Sequence, residues 1–180
     1  MRVIAGALGG RRLKAPRGTT TRPTSDRVKE ALFGLLGDVA GARALDLFAG
    51  AGGLGIEAIS RGAARAVFIE RDQRALRALR DNLRSLGIEA ARAEVRAADV
   101  LAALRSARGR AETYDLVFID PPYSRASDLG HELSMLLPSL LEPGARIVVE
   151  SDRRAPLQLQ AQLERERTYG DTSIKIHAQP

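Results

Sequence analysis

The feature that most constrains the fold is a regular alternation of apolar strands and amphipathic helices that begins near Arg43. Short apolar runs of this kind are typical of strands buried in a parallel sheet. The predicted strands are Ala44–Phe48, Arg65–Glu70, a weaker strand ending before Asp99, Tyr114–Ile119 and Ala145–Glu150. Because a helical pattern follows each of the first four strands, the chain is predicted to form an α/β three-layer sandwich with a largely parallel sheet.

The two ends of the chain depart from this alternation. Residues 1–14 predict a small N-terminal β-hairpin around a glycine turn. Thr24-Ser25-Asp26 is expected to cap a helix that continues to about Leu36. The tail predicts a helix from about Ala155 and then two short strands, near Leu163–Thr168 and Thr172–His177.

The positive charge of the chain is concentrated at its N-terminus. Residues 1–30 hold eight basic and two acidic side chains, an excess of six that equals the net charge of +6. We expect a single domain over residues 1–180, with a basic hairpin arm at 1–23 and the α/β body at 24–180. A basic segment on a neutral body indicates polyanion binding, and the alternative is a solvated basic tail.

The composition excludes several kinds of site. The chain has no cysteine, which rules out disulfides and cysteine-based metal sites. Its two histidines, His131 and His177, lie too far apart for a metal-ligand spacing, and we expect no metal. No apolar stretch approaches the length of a membrane span, and the N-terminus lacks the apolar core of a signal peptide. We therefore expect a soluble, cytoplasmic protein.

A glycine-rich turn predicts a nucleotide-type binding site. The run Gly50-Ala51-Gly52-Gly53-Leu54-Gly55 follows a predicted strand, opens a predicted helix and fits the pattern G-x-G-x-x-G. Glu70 lies twenty positions after the first glycine, at the end of the second strand, where a carboxylate can accept both hydroxyls of a ribose. These features alone do not separate NAD(H) from S-adenosylmethionine.

Two further acidic residues favour S-adenosylmethionine. Asp46 leads through Phe48 into the glycines, and a carboxylate there suits the amino acid moiety of the cofactor but would repel a pyrophosphate. Asp99, at the end of the third predicted strand, suits an adenine amino group. The alternative is that Asp46 and Asp99 only cap the segments that follow them.

A second candidate motif, Asp120-Pro121-Pro122-Tyr123, follows the apolar run Tyr114–Ile119. The prolines end the strand, because they cannot donate a ladder hydrogen bond and they restrict the preceding residue. A carboxylate, a kink and an aromatic ring are thus expected at the carboxyl end of a strand, where α/β sheets bind ligands. This arrangement suits a flat group that carries an amine, and the alternative is a plain strand-ending turn.

Together these motifs resemble the RsmD family of class I S-adenosylmethionine-dependent methyltransferases. The likeness is carried by Met1–Gly6, Arg22–Val28, Asp46–Glu57 with Ser60–Ala63, Asp120–Tyr123 and Tyr169–Thr172. The resemblance implies a Rossmann-like methyltransferase fold with a mostly parallel seven-stranded sheet. It also implies an enzyme that methylates the exocyclic N2 amine of a guanine in 16S ribosomal RNA. Naked RNA, a partly assembled small subunit and something smaller all stay open as its substrate, and we expect a monomer.

The resemblance and the charge pattern give three groups of expected site residues. The catalytic residues are Asp120, Pro121 and Tyr123. The S-adenosylmethionine-binding residues are Asp46, Phe48, Gly50, Gly52, Gly55, Glu70, Asp99 and Asp120. The RNA-binding residues, expected to be separate from the glycine loop, are Arg11, Arg12, Lys14, Arg17, Arg22 and Arg27.

The resemblance also implies a role for each catalytic residue. Asp120 and the carbonyl of Pro121 would accept the hydrogens of the target amine, and Tyr123 would stack on a base that has left its helix. An ionised Asp suits guanine, because it accepts from both N1–H and N2–H. Two alternatives stay open: an adenine-N6 methyltransferase, since relatives with Asp at this position also act on adenine, and a non-catalytic RNA-binding protein.

Overall fold

A computed structural model of the protein describes residues 1–16, 25–122 and 126–178, with the backbone alone described for 126–128. The described residues form one sheet whose seven strands are β1 (Arg43–Leu47), β2 (Arg65–Glu70), β3 (Ala93–Ala97), β4 (Tyr114–Ile119), β5 (Leu141–Asp152), β6 (Gln162–Tyr169) and β7 (Thr172–Ala178). The strand order is β3-β2-β1-β4-β5-β7-β6, and β7 runs antiparallel to the other six strands. The predicted three-layer α/β fold with a mostly parallel sheet is confirmed.

Five α-helices of the described chain cover the two faces of this sheet. They are α1 (Asp26–Leu36), α2 (Gly53–Ser60), α3 (Gln73–Ser85), α4 (Val100–Gly109) and α5 (Ala126–Leu136), which continues as a 3₁₀ turn over Leu137–Leu140. Within the described residues, no helix has the length and apolarity that crossing a bilayer requires.

The strands bury side chains on both faces, as continuous apolar runs predict. Alternate residues enter two cores, so Phe68 and Phe118 face α1, α2 and α3, whereas Val67 and Val117 face α4 and α5. Arm residue Val3 is fully buried in the first core. The arm therefore packs on the same side of the sheet as the helix that follows the glycine turn.

The N-terminal hairpin prediction is confirmed in outline. Arg2 and Arg12 form an antiparallel bridge, and the Val3 amide donates to the Arg11 carbonyl at 2.9 Å. The chain turns between them with Gly6 at a φ of 81° and Gly10 at a φ of 80°, values that L-residues rarely adopt.

The predicted helix at Ala155 is wrong. Residues 156–161 have no helical structure, and Leu157 is fully buried in the second core. A methyl group on Gly130 of α5 would lie 2.2 Å from the Gln158 carbonyl oxygen, so the segment runs directly against that helix. The Ser134 hydroxyl accepts from the Gln160 amide at 2.9 Å. Contacts with α5 thus replace the hydrogen bonds that a helix would have made.

Candidate active site

The carboxyl ends of the central parallel strands bring the predicted site residues to one edge of the sheet. Leu47 at the end of β1 is in register with Ile69 of β2 and with Ile119 of β4. Phe48 therefore lies between Glu70 on one side and Asp120 on the other. This is the edge at which doubly wound sheets bind their ligands.

The glycine turn after β1 combines left-handed backbone conformations with close contacts to the sheet. Gly52 has a φ of 87°, and Phe48 has a φ of 63°, which is uncommon for a residue with a side chain. A methyl group on Gly55 would lie 2.4 Å from the Phe68 ring, so α2 packs closely against β2. The turn is therefore both locally strained and tightly packed, as binding loops often are.

Asp46 lies beneath the glycine turn. Its side chain is 2% exposed, and its Oδ2 accepts from the Gly55 amide at 2.8 Å. Burial raises the pKa of Asp46 to about 7, with a smaller contribution from the charge of Glu70, although the Gly55 hydrogen bond opposes this rise. In this structure Asp46 fastens the start of α2 to the sheet. Its contact with a cofactor stays a prediction.

Glu70 joins the two loops that border the site. Its Oε2 accepts from the Gly50 amide at 2.8 Å, and its Oε1 accepts from the amides of Arg71 and Asp72 at 2.7 and 2.8 Å. A carboxylate surrounded by main-chain N–H groups is held at a fixed position by charge-assisted hydrogen bonds. Its side chain is partly exposed at the binding edge, and its role toward ribose hydroxyls stays a prediction.

Asp99 caps the helix that follows β3. Its side chain accepts from the Leu101 amide at 3.0 Å, and Arg71 lies 3.4 Å from its other oxygen. In this structure Asp99 therefore caps the helix that follows it, which is the alternative role that the sequence leaves open. The residue is exposed at the binding edge, and its role toward adenine stays a prediction.

The motif after β4 lies beside the glycine turn. Asp120 is half-buried, Pro121 is buried and Pro122 is exposed. Tyr123, the predicted stacking residue, lies outside the described residues. The structure thus brings Asp120 and Pro121 to the edge that holds Gly50 and Glu70.

The predicted RNA-binding residues are only partly described. Arg11, Arg12, Lys14 and Arg27 are exposed, and Arg17 and Arg22 lie outside the described residues. Lys29, which contributed to the N-terminal charge excess, is fully buried beside Glu57 and donates to the Arg2 carbonyl. Burial lowers the pKa of Lys29, although Glu57 opposes this shift. Its charge is therefore not available to a polyanion.

Two polar residues that the sequence analysis did not single out attach the arm to the body. Glu57 of α2 is fully buried and accepts from the amides of Ile4 and Ala5 at 2.7 and 3.0 Å. Asn82 of α3 is also fully buried and contacts Lys14. A usable signal existed for both, since each polar side chain falls on a helix face that is otherwise apolar.

Neither histidine belongs to this site. His131 is exposed, and His177 is buried at the far side of the sheet, with Nδ1 3.2 Å from the Ala161 carbonyl oxygen. Burial lowers the pKa of His177. Among the residues that the structure describes, no group of His, Asp and Glu is placed to hold a metal ion.

Comparison with known proteins places the whole chain in one group. A family described as "Conserved hypothetical protein 95" matches residues 1–178. The chain is 41% identical to the YlbH protein of Bacillus subtilis, and the match covers 98% of each protein. It is 36% identical to the ribosomal RNA small subunit methyltransferase D of Haemophilus influenzae, over 98% of this chain and 93% of that one.

The chain belongs to the RsmD family. The solved structure of a hypothetical protein from Thermus thermophilus superposes with a TM-score of 0.84 at 33% identity, over 98% of both chains. The resemblance inferred from the motifs is thereby confirmed, and so is the Rossmann-like methyltransferase fold. The RsmD family match includes the arm as well as the body, so the hairpin is part of the shared architecture.

Proposed function

We propose that this protein is an S-adenosylmethionine-dependent methyltransferase that modifies the exocyclic N2 amine of a guanine in 16S ribosomal RNA. The observation that carries the proposal is the placement of Asp120 and Pro121 beside the Gly50–Glu70 contact, at the binding edge of a methyltransferase fold. Membership of the RsmD family supports both the cofactor and the RNA substrate. The bacterial relative from Haemophilus influenzae is named as a small-subunit ribosomal RNA methyltransferase.

The residues at this edge fit S-adenosylmethionine. Glu70 offers carboxylate oxygens to ribose hydroxyls, and the tight turn at Gly50 and Gly52 brings main-chain groups to the binding edge. The exposed Asp99 would accept from the adenine amine, and Phe48 borders the same edge. Bound there, the cofactor would supply an activated methyl group. Asp46 supports this site from below through Gly55.

Asp120 and the Pro121 carbonyl would position the target amine. An exocyclic amine is a weak nucleophile, because its lone pair is delocalised into the ring. Acceptors for its two hydrogens favour the geometry in which the lone pair is free to attack. Positioning of this kind can contribute roughly 7–11 kcal/mol in ideal cases. Tyr123 would stack on the base, for about 1–3 kcal/mol.

The chemistry of Asp120 favours guanine over adenine. An ionised carboxylate accepts from both the N1–H and the N2–H of guanine, whereas adenine presents an acceptor at N1. Adenine-N6 methylation is the alternative outcome of the test below.

The purified protein should methylate small-subunit ribosomal RNA from a strain that lacks the gene. Mass spectrometry of nuclease digests would identify the modified base, with naked 16S RNA and assembled 30S subunits as parallel substrates. We expect N2-methylguanine and its loss in Asp120→Ala. N6-methyladenine would contradict the base assignment, and no transfer to either substrate would contradict the proposed activity.

The wider assignments follow from this function. Residues 1–23 are the RNA-docking arm, and residues 24–180 are the catalytic body of one methyltransferase domain. We propose that the enzyme is monomeric and acts in the cytoplasm, where ribosomal subunits are assembled. Sedimentation of the protein with and without RNA tests its oligomeric state.

A further inference from the structure

The arm and the glycine turn meet at one buried side chain, that of Asn82. Asn82 Oδ1 accepts from the Lys14 amide at 2.8 Å, and Nδ2 donates to the Lys14 carbonyl at 3.0 Å. Nδ2 also donates to the Ala51 carbonyl at 3.0 Å. Ala51 lies between Gly50 and Gly52 in the turn. Lys14 and the glycine loop, which the sequence predicts to be separate, are therefore linked through one intervening side chain.

Asn82 occupies a buried position on a helix face that is otherwise apolar. It lies on the inner face of α3 with Leu79 and Leu83, where a leucine would bury more apolar surface. Both amide hydrogens and the carbonyl oxygen have main-chain partners, so this buried polar group is satisfied. Such a fully paired group fixes the relative position of the segments that it joins.

A second set of contacts presses the arm onto the helix that the glycine turn opens. Ser60 at the end of α2 accepts from the Leu8 amide through its hydroxyl and from the Ala7 amide through its carbonyl, at 2.9 and 2.8 Å. Gly6 approaches so closely that a methyl group there would lie 1.9 Å from the Ser60 carbonyl oxygen. At the other end of α2, a methyl group on Gly53 would lie 3.1 Å from the Met1 sulfur.

We propose that Asn82 is a positioning residue that makes the docked arm a part of the cofactor site. With the arm in place, Asn82 is fixed on Lys14 and holds the Ala51 carbonyl, which keeps the glycine turn in its binding conformation. This inference rests on the proposed function, since it concerns the same cofactor. Linkage is reciprocal, so cofactor binding must stabilise the docked arm as much as the docked arm stabilises cofactor binding.

The size of the effect follows from the population of the binding conformation. If loss of the Asn82 contact leaves the turn correctly formed in about a tenth of the molecules, the apparent affinity falls about tenfold. The turn is a candidate for such behaviour, because Phe48 at its start holds a left-handed backbone conformation that needs support from its surroundings.

The first test measures S-adenosylhomocysteine binding by calorimetry in two variants that act from opposite sides. Asn82→Ala removes the link, and we expect roughly tenfold weaker binding. Gly6→Ala leaves Asn82 intact but collides with Ser60, and it should weaken binding by undocking the arm. The effects should be less than additive in the double variant, because both act through arm docking. Gly10→Ala is the matched control: its φ is equally unusual, but a methyl group there meets nothing within 4 Å.

The second test measures hydrogen exchange of the arm amides that bond to the body, at Ile4, Ala5, Leu8 and Lys14. Saturating S-adenosylhomocysteine should slow their exchange in the natural protein and leave it unchanged in Asn82→Ala. A purely structural Asn82 would not make arm exchange respond to the cofactor. This inference is overturned, and the proposed function is not, if the natural protein and both variants bind S-adenosylhomocysteine equally well. The same holds if exchange of the arm amides does not respond to S-adenosylhomocysteine. Failure of the natural protein to bind S-adenosylhomocysteine overturns the proposed cofactor and this inference with it.

Discussion

The two edges of the parallel sheet use charged side chains in opposite ways. At the amino edge, arginines and glutamates neutralise one another. Arg96 makes two hydrogen bonds with Glu112, at 2.8 and 3.0 Å, and a third with Glu94 at 2.7 Å. Arg110 and the Tyr114 hydroxyl also donate to Glu112, at 2.7 and 2.6 Å. These side chains therefore satisfy one another's charges and hydrogen bonds, and they need no ligand to do so.

At the carboxyl edge, the carboxylates have main-chain partners. Asp46 accepts from Gly55, Glu70 from Gly50 and Asp99 from Leu101, and of these three Asp99 also pairs with an arginine, the exposed Arg71 at 3.4 Å. Amides hold a carboxylate in place without neutralising it by a full positive charge. These acidic groups therefore remain able to accept hydrogen bonds from hydroxyl and amine donors. The comparison separates the charges that stabilise the scaffold from the charges that can serve a ligand.

The pKa values differ in the same sense. Burial tends to raise the pKa of Glu112, but hydrogen bonds from Arg96, Arg110 and Tyr114 outweigh it and lower the value to about 2. For Asp46, burial dominates and the pKa rises to about 7. A structural carboxylate is thus held ionised, whereas the one beneath the glycine turn is costly to ionise.

Substitutions at the two edges should differ most in their effect on turnover. Asp120→Ala should lower kcat by about 10²–10³-fold, the usual cost of removing one oriented hydrogen-bonding group from a reaction centre. Its affinity for S-adenosylhomocysteine should stay within a few-fold. Asp120→Asn is the finer variant, because it keeps an acceptor oxygen but sets an amide donor against the guanine edge. Methyl transfer to RNA under single-turnover conditions provides the measurement.

Glu112→Gln is the matched control at the amino edge, and it should retain normal turnover. Near-normal turnover in Asp120→Ala would remove the role that we assign to Asp120. A loss in Glu112→Gln that equals the loss in Asp120→Ala would remove the distinction between the edges.

The second difference is in the pH dependence of stability. The folded-state pKa of Asp46 exceeds its unfolded value of 3.8, so the native state binds more protons between about pH 4 and 7. Asp46 therefore costs stability as the pH rises through this window, up to about 4 kcal/mol if the whole shift is realised. Asp46→Asn should remove this loss, and its stability relative to the natural protein should grow with pH and level off above pH 7. Urea unfolding at several pH values would measure it.

Glu112 should show the opposite sign. Its folded-state pKa lies below the unfolded value of 4.5, so its stabilising contribution is complete above that value and is lost as the pH falls toward 2. The free energy of unfolding of Glu112→Gln should therefore fall furthest below that of the natural protein above pH 5. Parallel pH profiles for the natural protein and either variant would contradict the corresponding pKa shift.

The third difference is in cofactor affinity. Glu70→Ala removes the acceptor for ribose hydroxyls and also frees the Gly50 amide, and we expect about 10- to 100-fold weaker S-adenosylhomocysteine binding, which corresponds to about 1.5–3 kcal/mol for charged hydrogen bonds. Glu94→Gln, at the opposite end of the neighbouring strand, is the control and should bind normally. Tight binding of NADH by the natural protein, measured in the same calorimeter, would contradict the assigned cofactor.

Features that depend on local sequence patterns were predictable, whereas features that depend on contacts between distant parts of the chain were not. The parallel strands were predictable, because their apolar runs report burial on both faces. The assignment of Gly50 and Glu70 to one binding site was predictable from the spacing of a known motif. The false helix at Ala155 arose because contacts with Gly130 and Ser134 decide that segment, and they lie far away in sequence. The burial of Lys29 was not predicted for the same reason, since its partner Glu57 lies on another helix.

The smallest expected effect concerns the exposed charges of the arm. Neutralising Arg11, Arg12 and Lys14 together should weaken RNA binding and lower its salt dependence by about 0.7–0.9 log units per lost phosphate contact for each tenfold change in salt. Cofactor affinity should not change, because Asn82 holds the main chain of Lys14 and not its ammonium group. The matched control neutralises Arg105, an exposed arginine on α4, where the salt slope should stay constant. A filter-binding titration of 16S RNA over several salt concentrations gives the slope. If the triple variant kept its slope but lost cofactor affinity, the arm would serve the glycine turn alone and the RNA would dock elsewhere.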